Sequence, residues 1–454
     1  MKKVQEDTPK IEYHTLTRKM QIIPIGEKED VNEAYEFIRN GMYAFYKASN
    51  LLMGQLAASY YKNGCDLSNA KFLEEKKEIF KHGNPILSQI EFPKGMDLIS
   101  HATRRVDSDF RTSIKNGLAR GERSITNYKR DNPIPTLSRN LKFDIDFTTL
   151  ENGEPDLNSI SAKVKWVNKK QFTVVFGNPT RSVELRKTML QIHYGNYLVG
   201  GSKISIEGKK IFLHLTVQIP IQEMTFDENT IVGVDLGIKH PAVCALNNNI
   251  YKREYIGAEE TLLHIRTRIQ NQKRALQKSL TFAKSQHGRT RKLAPLERLK
   301  SRERNFAKTF NNKISYRVVQ FALKNNAKYI HIENMEGYGD NPNNAILLRN
   351  WSYYQLEEMI IQKAKRYGII VRKVNPYNTS QVCSFCGSQE EGQLLNRERF
   401  VCKNPDCVSH KFNSYIESDF NAARNIAKST QFSIGKKSFS QNKEQHENEI
   451  CKKS

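Results

Sequence analysis

The sequence predicts a multidomain α+β protein in which a helical lobe and a small β-barrel precede an α/β domain carrying an inserted cysteine ribbon. Three observations lead there. A chain of 454 residues is longer than one hydrophobic core usually holds. Its texture passes from helical periodicity to alternating strands near Leu141, and then to short apolar runs bounded by glycine. Four cysteines fall in two closely spaced pairs towards the C-terminus.

In chain order, Tyr13 to Pro24 alternates imperfectly and ends at a proline, which reads as a first strand. From about Val31 to Lys62, Ala34, Ile38, Phe45, Leu52 and Leu56 approximate one apolar face of a helix. Its aromatic residues Tyr35, Tyr43, Tyr46, Tyr60 and Tyr61 suit packing within a bundle better than stacking on a ligand. A second helical region covers roughly Gly95 to Asn116, and the polar segment Asn127 to Pro135 closes the lobe. Phe143 to Phe147 alternates, Gln171 to Phe176 is rich in β-formers, and Lys203 to Val217 reads as a hairpin turning at Gly208. Together these strands predict the small β-barrel.

Beyond them, the run Ile231-Val232-Gly233-Val234-Asp235 reads as a short buried strand ending in a carboxylate, and Tyr329 to Glu333 repeats the pattern. Between the two, His264 to Lys313 holds fifteen Lys or Arg against Glu297 and Glu303 alone. Leu299, Phe306, Phe310, Ile314, Val318 and Phe321 form an apolar stripe there, so two long helices joined by a basic loop around Lys284 to Lys292 are expected. A polar loop at Gly337 to Asn344 follows. Then come a helix with Tyr353, Leu356, Ile360, Ala364 and Tyr367 on one side and a strand at Ile369 to Val371.

The cysteines carry a specific signal. Cys383 and Cys386 flank Ser-Phe, Cys402 and Cys407 flank Lys-Asn-Pro-Asp, and each pair makes a chelating turn that can share one tetrahedral Zn²⁺. His410 lies close enough to compete for the fourth position. Asp419 follows at the start of a helix that Ser418 can cap, with Phe420, Ala423, Ile426 and Ala427 on its apolar side. Carboxylates at two strand ends and one helix start can converge on two Mg²⁺ ions, hard cations that prefer oxygen ligands. Such a pair, about 4 Å apart, clamps the attacking and leaving oxygens of a phosphodiester.

The order of these pieces resembles a known family. Gly233-Val234-Asp235-Leu236-Gly237, Ile332-Glu333-Asn334, the cysteine ribbon and the run Ser418 to Ile426 are similar to the split RuvC nuclease domain of TnpB transposon proteins and of the miniature type V-F CRISPR effectors. Asn350 to Tyr354 and Asn378 to Gln381 look like that family too, and the specific resemblance covers about residues 231–427. It implies an RNase H-like RuvC domain in an RNA-guided, Mg²⁺-dependent DNA endonuclease, with Asp235, Glu333 and Asp419 matching the catalytic triad and Cys383, Cys386, Cys402 and Cys407 holding one structural Zn²⁺. The implied layout is a wedge barrel at 1–24 and 140–225, a helical recognition lobe at 25–139, and RuvC at 226–381 with a basic helical hairpin at 259–326. The zinc ribbon follows at 382–414, the third RuvC motif at 415–430 and a disordered tail at 431–454.

Charge agrees with a nucleic-acid partner. Lys plus Arg outnumber Asp plus Glu by 72 to 48, a formal +24 that favours polyanions, though ribosomal and membrane-surface proteins share such a balance. Lys169, Lys170, Arg181, Arg186 and Lys187 are candidates for a duplex surface or for solvated charge. No apolar run approaches the roughly 20 residues that span a bilayer, and no signal-like segment opens the chain, so a cytoplasmic, prokaryotic protein is expected. Cys65, Cys244 and Cys451 are widely separated and predict reduced thiols.

The partners implied are a guide RNA and target DNA, double- and single-stranded. A second copy of the chain on the same guide is also implied, with contacts from the Val31 to Lys62 helix. Pairing with the guide next to a short flanking motif would select the site. The alternatives are a TnpB-type RNA-guided nuclease or, less favoured, a RuvC-like nuclease acting without a guide.

Overall fold

The computed structural model describes residues 12–81, 83–221, 224–237, 239–281, 289–334, 353–376, 379–396, 398–411 and 415–432. The loop expected at Gly337 to Asn344, Asn350 to Ser352, Asn378, the basic stretch Lys284 to Gly288, Cys451 and the tail beyond Phe432 lie outside the described residues. The chain divides into two compact units, Met1–Pro220 and Ile221–Ser454.

In the first unit the strands are β1 (Tyr13–Pro24), β2 (Ile134–Thr136), β3 (Lys142–Asp146), β4 (Ser161–Lys165), β5 (Gln171–Val175), β6 (Leu198–Val199), β7 (Ser202–Glu207) and β8 (Lys210–Pro220). They form one antiparallel sheet in the order β2, β7, β8, β1, β5, β4, β3, with β6 added on β8. The hairpin at Gly208 is present as β7 and β8. The expected barrel is not: β2 and β3 are the two ends of the sheet order and do not pair, so the sheet is open.

The reason lies in what covers its apolar face. Helix α1 (Lys28–Lys62) contributes Ile38, Met42 and Phe45, and α4 (Leu98–Lys115) contributes Ala102, Val106 and Phe110, to one core shared with Met20, Ile22, Leu213 and Leu215 of the sheet. With helices supplying the second layer, the strands need not close on themselves. Tyr60, one of the α1 tyrosines, is buried edge-on against Phe72 and Phe110 as bundle packing requires, whereas Tyr43 and Tyr61 are exposed.

Helices α2 (Ala70–Ile79), α3 (Pro85–Ser88) and α5 (Pro179–His193) are additions to the expected elements. Helix α5 starts at Asn178, whose side chain accepts from the Thr180 amide, with Pro179 in the first turn. Its Arg186 does not face a ligand. The side chain is buried, and its guanidinium donates to the Leu157 and Asn158 carbonyls at 2.8 and 2.9 Å, which makes it a pin for the β3–β4 connection.

The second unit is built on β9 (Asp227–Asp235), β10 (Ala242–Leu246), β11 (Arg253–Ile256), β12 (Ala327–Glu333) and β13 (Ile370–Val374), in the order β11, β10, β9, β12, β13. Strands β9, β12 and β13 run parallel; β10 and β11 are antiparallel. Alternation along β9 and β10 sorts two layers. Val232, Val234, Cys244 and Leu246 face a core with Ile314, Val318 and Phe321 of α7 (Arg289–Lys324) and Leu356 and Ile360 of α8 (Tyr353–Lys365). Val243 and Ala245 face the other way, towards Phe420 and Ala423 of α10 (Ser418–Lys428) and the cysteines. Helix α6 (Glu259–Thr281) pairs with α7 as the expected two-helix arm. Two short pieces complete the unit, the hairpin of β14 (Arg399–Phe400) with β15 (Ile416–Glu417) and the single turn α9 (Val408–Lys411).

Candidate active site and cysteine centre

Strands β9 and β12 are parallel neighbours with Ile332 in register with Val234, so the next residues, Glu333 and Asp235, stand side by side at the C-terminal edge of the sheet. Gly233 lies two positions before Asp235 and therefore on the same face. A Cβ placed on it would come within 1.9 Å of the Ala423 carbonyl oxygen and 2.4 Å of the Ala427 nitrogen, which shows how closely α10 crosses β9. His331, paired with Gly233, confirms the face: its Nδ1 lies 3.1 Å from the Ile426 carbonyl. Asp419, one turn before Ala423, is brought by this packing close enough to Asp235 for their charges to interact. Ser418 does not cap the helix as expected; Glu417 holds the N-cap position, and Ser418 instead hydrogen-bonds the Asp419 carboxylate.

The three carboxylates are partly enclosed and interact. Burial pushes Asp235 well above the usual carboxylate range, and the charges of Glu333 and Asp419 push it further. Burial also raises Glu333, against a hydrogen bond donated by the Thr379 hydroxyl. Burial and Glu417 raise Asp419, while His240 and Lys239 pull it back. Those two side chains are themselves engaged, Lys239 with Glu398 at 3.1 Å and His240 with Glu417 at 3.6 Å. The Asp235 and Glu333 pair thus faces mutual repulsion that a divalent cation would relieve, and an all-oxygen donor set suits Mg²⁺. Among the described residues no set of three carboxylates has its oxygens all within 4.8 Å of one another.

The cysteines are drawn together more tightly. The Cys383 and Cys407 sulfurs are 3.8 Å apart, Cys386 and Cys402 3.5 Å, and all four lie within 4.8 Å of one another. Tetrahedral sulfurs at 2.3 Å from Zn²⁺ stand about 3.8 Å apart, so the four fit one such ion. Gly387, at φ +78°, closes the first turn by donating its amide to the Cys383 carbonyl at 2.8 Å. The competing His410 points elsewhere: its Nδ1 meets the Cys402 carbonyl at 2.9 Å. Cys65 and Cys244 form no disulfide.

Several residues that join the two centres carry no obvious mark in the sequence. Asn421 accepts from the Ser384 amide at 2.8 Å and donates to the Val382 carbonyl at 2.7 Å; Asn425 donates to the Val382 and Thr379 carbonyls at 2.7 and 2.8 Å. Helix α10 therefore grips the segment that supplies both Cys383 and Thr379, the partner of Glu333. The signal was present as two asparagines four apart on a helix otherwise lined with alanine. Glu417 is held by His240 and by a hydrogen bond with Tyr255, an arrangement assembled from three separate elements.

Residues 353–426 match the family model of the Cas12f1-like TNB domain. A CRISPR-associated endodeoxyribonuclease Cas12f1 from Syntrophomonas palmitatica is 33% identical over 233 residues, 46% of this chain and 46% of that protein. A second Cas12f1, from Sulfoacidibacillus thermotolerans, is 28% identical over 338 residues, 72% of this chain and 76% of that protein. This chain is similar to the miniature type V-F CRISPR effectors. The fold agrees: the protein of a cryo-EM structure of the Cas12f1-sgRNA-target DNA complex superposes with a TM-score of 0.64 at 18% identity, covering 93% of this chain and 100% of that one. The alignment with the first of these relatives spans less than half of its length. Among the described residues no helix is long and apolar enough to cross a membrane.

Proposed function

We propose that the protein is an RNA-guided DNA endonuclease that pairs a guide RNA with target DNA beside a short flanking motif and hydrolyses DNA strands in a single RuvC site formed by Asp235, Glu333 and Asp419. The observation that supports this reading is that Asp235 and Glu333 stand at adjacent strand ends and that Asp235 feels the charges of both Glu333 and Asp419, the latter at a helix start. The names of the Cas12f1 relatives, endodeoxyribonucleases, support the reaction class.

In this reading Asp235, Glu333 and Asp419 would hold the metal ions, with Glu333 held by the Thr379 hydroxyl and Asp419 reaching the site from the first turn of α10. Two Mg²⁺ ions, when bound, stabilise the attacking and leaving oxygens of the phosphodiester. The cysteine ribbon holds one structural Zn²⁺ through Cys383, Cys386, Cys402 and Cys407, which fixes the segment that α10 grips. Phosphate contacts from the basic α6 and α7 arm add affinity without reading sequence.

The test is to sequence RNA that co-purifies with the protein and then reprogram it. Cleavage that follows the guide supports the reading, and guide-indifferent cleavage overturns it in favour of an unguided nuclease. Two copies on one guide are proposed because the non-nuclease part is small for enclosing a heteroduplex of about 20 base pairs. A light-scattering mass of one protein plus one RNA would instead favour a TnpB-like monomer.

A further inference from the structure

Arg424 lies in the middle of α10 with only 3% of its surface exposed, and its Nε and Nη1 have no hydrogen-bond partner among the described residues. No carboxylate pairs with it there. Its guanidinium sits 4.7 Å from the ring centre of Phe385 and 6.0 Å from that of Phe420. Phe385 is the residue between Ser384 and Cys386, inside the first cysteine turn. A buried charge normally persists only when paired, so a cation in this position requires an explanation. The guanidinium rests on the turn that supplies Cys383 and Cys386, and Cys383 is the group whose charge acts on it. Four thiolates around one Zn²⁺ sum to a net charge of −2, in a place where burial limits screening by water. Lys428, one turn further along α10, donates to the Ser384 carbonyl of the same turn at 2.7 Å.

We propose that Arg424 is the counter-ion of a zinc tetrathiolate, and that through it the ion holds down the helix that carries Asp419. The proposal rests on the reading of the cysteines as a zinc site. Without the metal the four sulfurs do not carry the fixed charge of a tetrathiolate and the buried Arg424 lacks that partner; with it, the guanidinium and the tetrathiolate stabilise each other across the stacked Phe385 ring. Metal occupancy and the seat of α10 are then coupled by charge as well as by the asparagine hydrogen bonds. Arg424 acts as a positioning residue and touches neither substrate nor reacting atoms.

The test measures transfer of zinc to a chromogenic chelator, and thermal unfolding with and without zinc, for the parent, Arg424→Met and Arg424→Lys. Arg424→Met is expected to weaken zinc binding by about 10- to 100-fold, the range for residues that support metal ligands. It should leave the zinc-free protein as stable as the parent or more so, since the unpaired cation is gone. Arg424→Lys, which keeps the charge, should retain most of the affinity. Equal destabilisation of zinc-free and zinc-loaded Arg424→Met would mean a packing role and overturn the proposal, as would unchanged zinc affinity. If Arg424→Met does not fold, Arg424→Lys decides, and its loss of zinc by 10-fold or more would refute a role for charge. A parent protein that holds no zinc would overturn the cysteine-site reading together with this one; a zinc-loaded parent with an indifferent Arg424→Met would overturn this inference alone.

Discussion

Replacing Gly233 by alanine tests the placement of Asp419 without touching a carboxylate. The added Cβ would meet the Ala423 carbonyl oxygen at 1.9 Å, the Ala427 nitrogen at 2.4 Å and the Ala427 Cβ at 2.8 Å. These are backbone atoms and a methyl group, with no flexible side-chain end to swing away. Restoring ordinary contact distances requires α10 to retreat from β9 by about 1.5 Å. Overpacking of this kind costs about 1–3 kcal/mol. The retreat also lifts Asp419, one turn away, off Asp235 and Glu333, and a misplacement near 1 Å at a reacting centre costs roughly 100-fold in rate. The expected outcome is a folded Gly233→Ala protein that binds guide and target as the parent does but cleaves about 100-fold more slowly in single-turnover assays with Mg²⁺. Cleavage within about threefold of the parent would refute the argument that α10 sets the site.

Two further predictions concern charge and metal. In metal-free protein the raised pKa of Asp235 means that the folded state binds its proton more tightly than the unfolded chain, so stability is greatest in acid and falls as pH rises through the raised value. Asp235→Asn should flatten that dependence and stabilise the metal-free protein at pH 8 by about 1 kcal/mol or more, measured by denaturant unfolding in a chelator. A variant less stable than the parent there would be contrary to the repulsion argument. Cys383→Ser should bring bound zinc to well below one per chain and slow cleavage, because the segment it anchors also bears Thr379. Metal analysis that finds no zinc in active parent protein would dispose of this.

The sequence displayed the chemistry more clearly than the architecture. Asp235 and Glu333 were legible because each ends an apolar run, and a strand buried on both sides leaves its last polar residue at the sheet edge. The cysteine pairs were legible through spacing alone, and the choice between Cys407 and His410 needed the geometry. Alternation in the first half announced strands and a hairpin, but it is a local property and does not record whether β2 and β3 meet; the open sheet is decided by the helices that cover its face. Arg186 looked like one basic residue among several, and only the carbonyls around it make it structural. Gly233 was visible as part of a motif, yet its reason, the helix passing over it, comes from residues 190 positions later in the chain.

The most direct measurement is cleavage of guide-matched DNA in Mg²⁺ by Asp235→Ala, Glu333→Ala and Asp419→Ala, each assayed beside its binding of the same target. Every variant is expected to lose cleavage to background while target binding persists, since one missing ligand disrupts the metal pair and leaves the basic surfaces intact. Near-parental cleavage by any one of them would remove that residue from the site, and near-parental cleavage by all three would contradict the account.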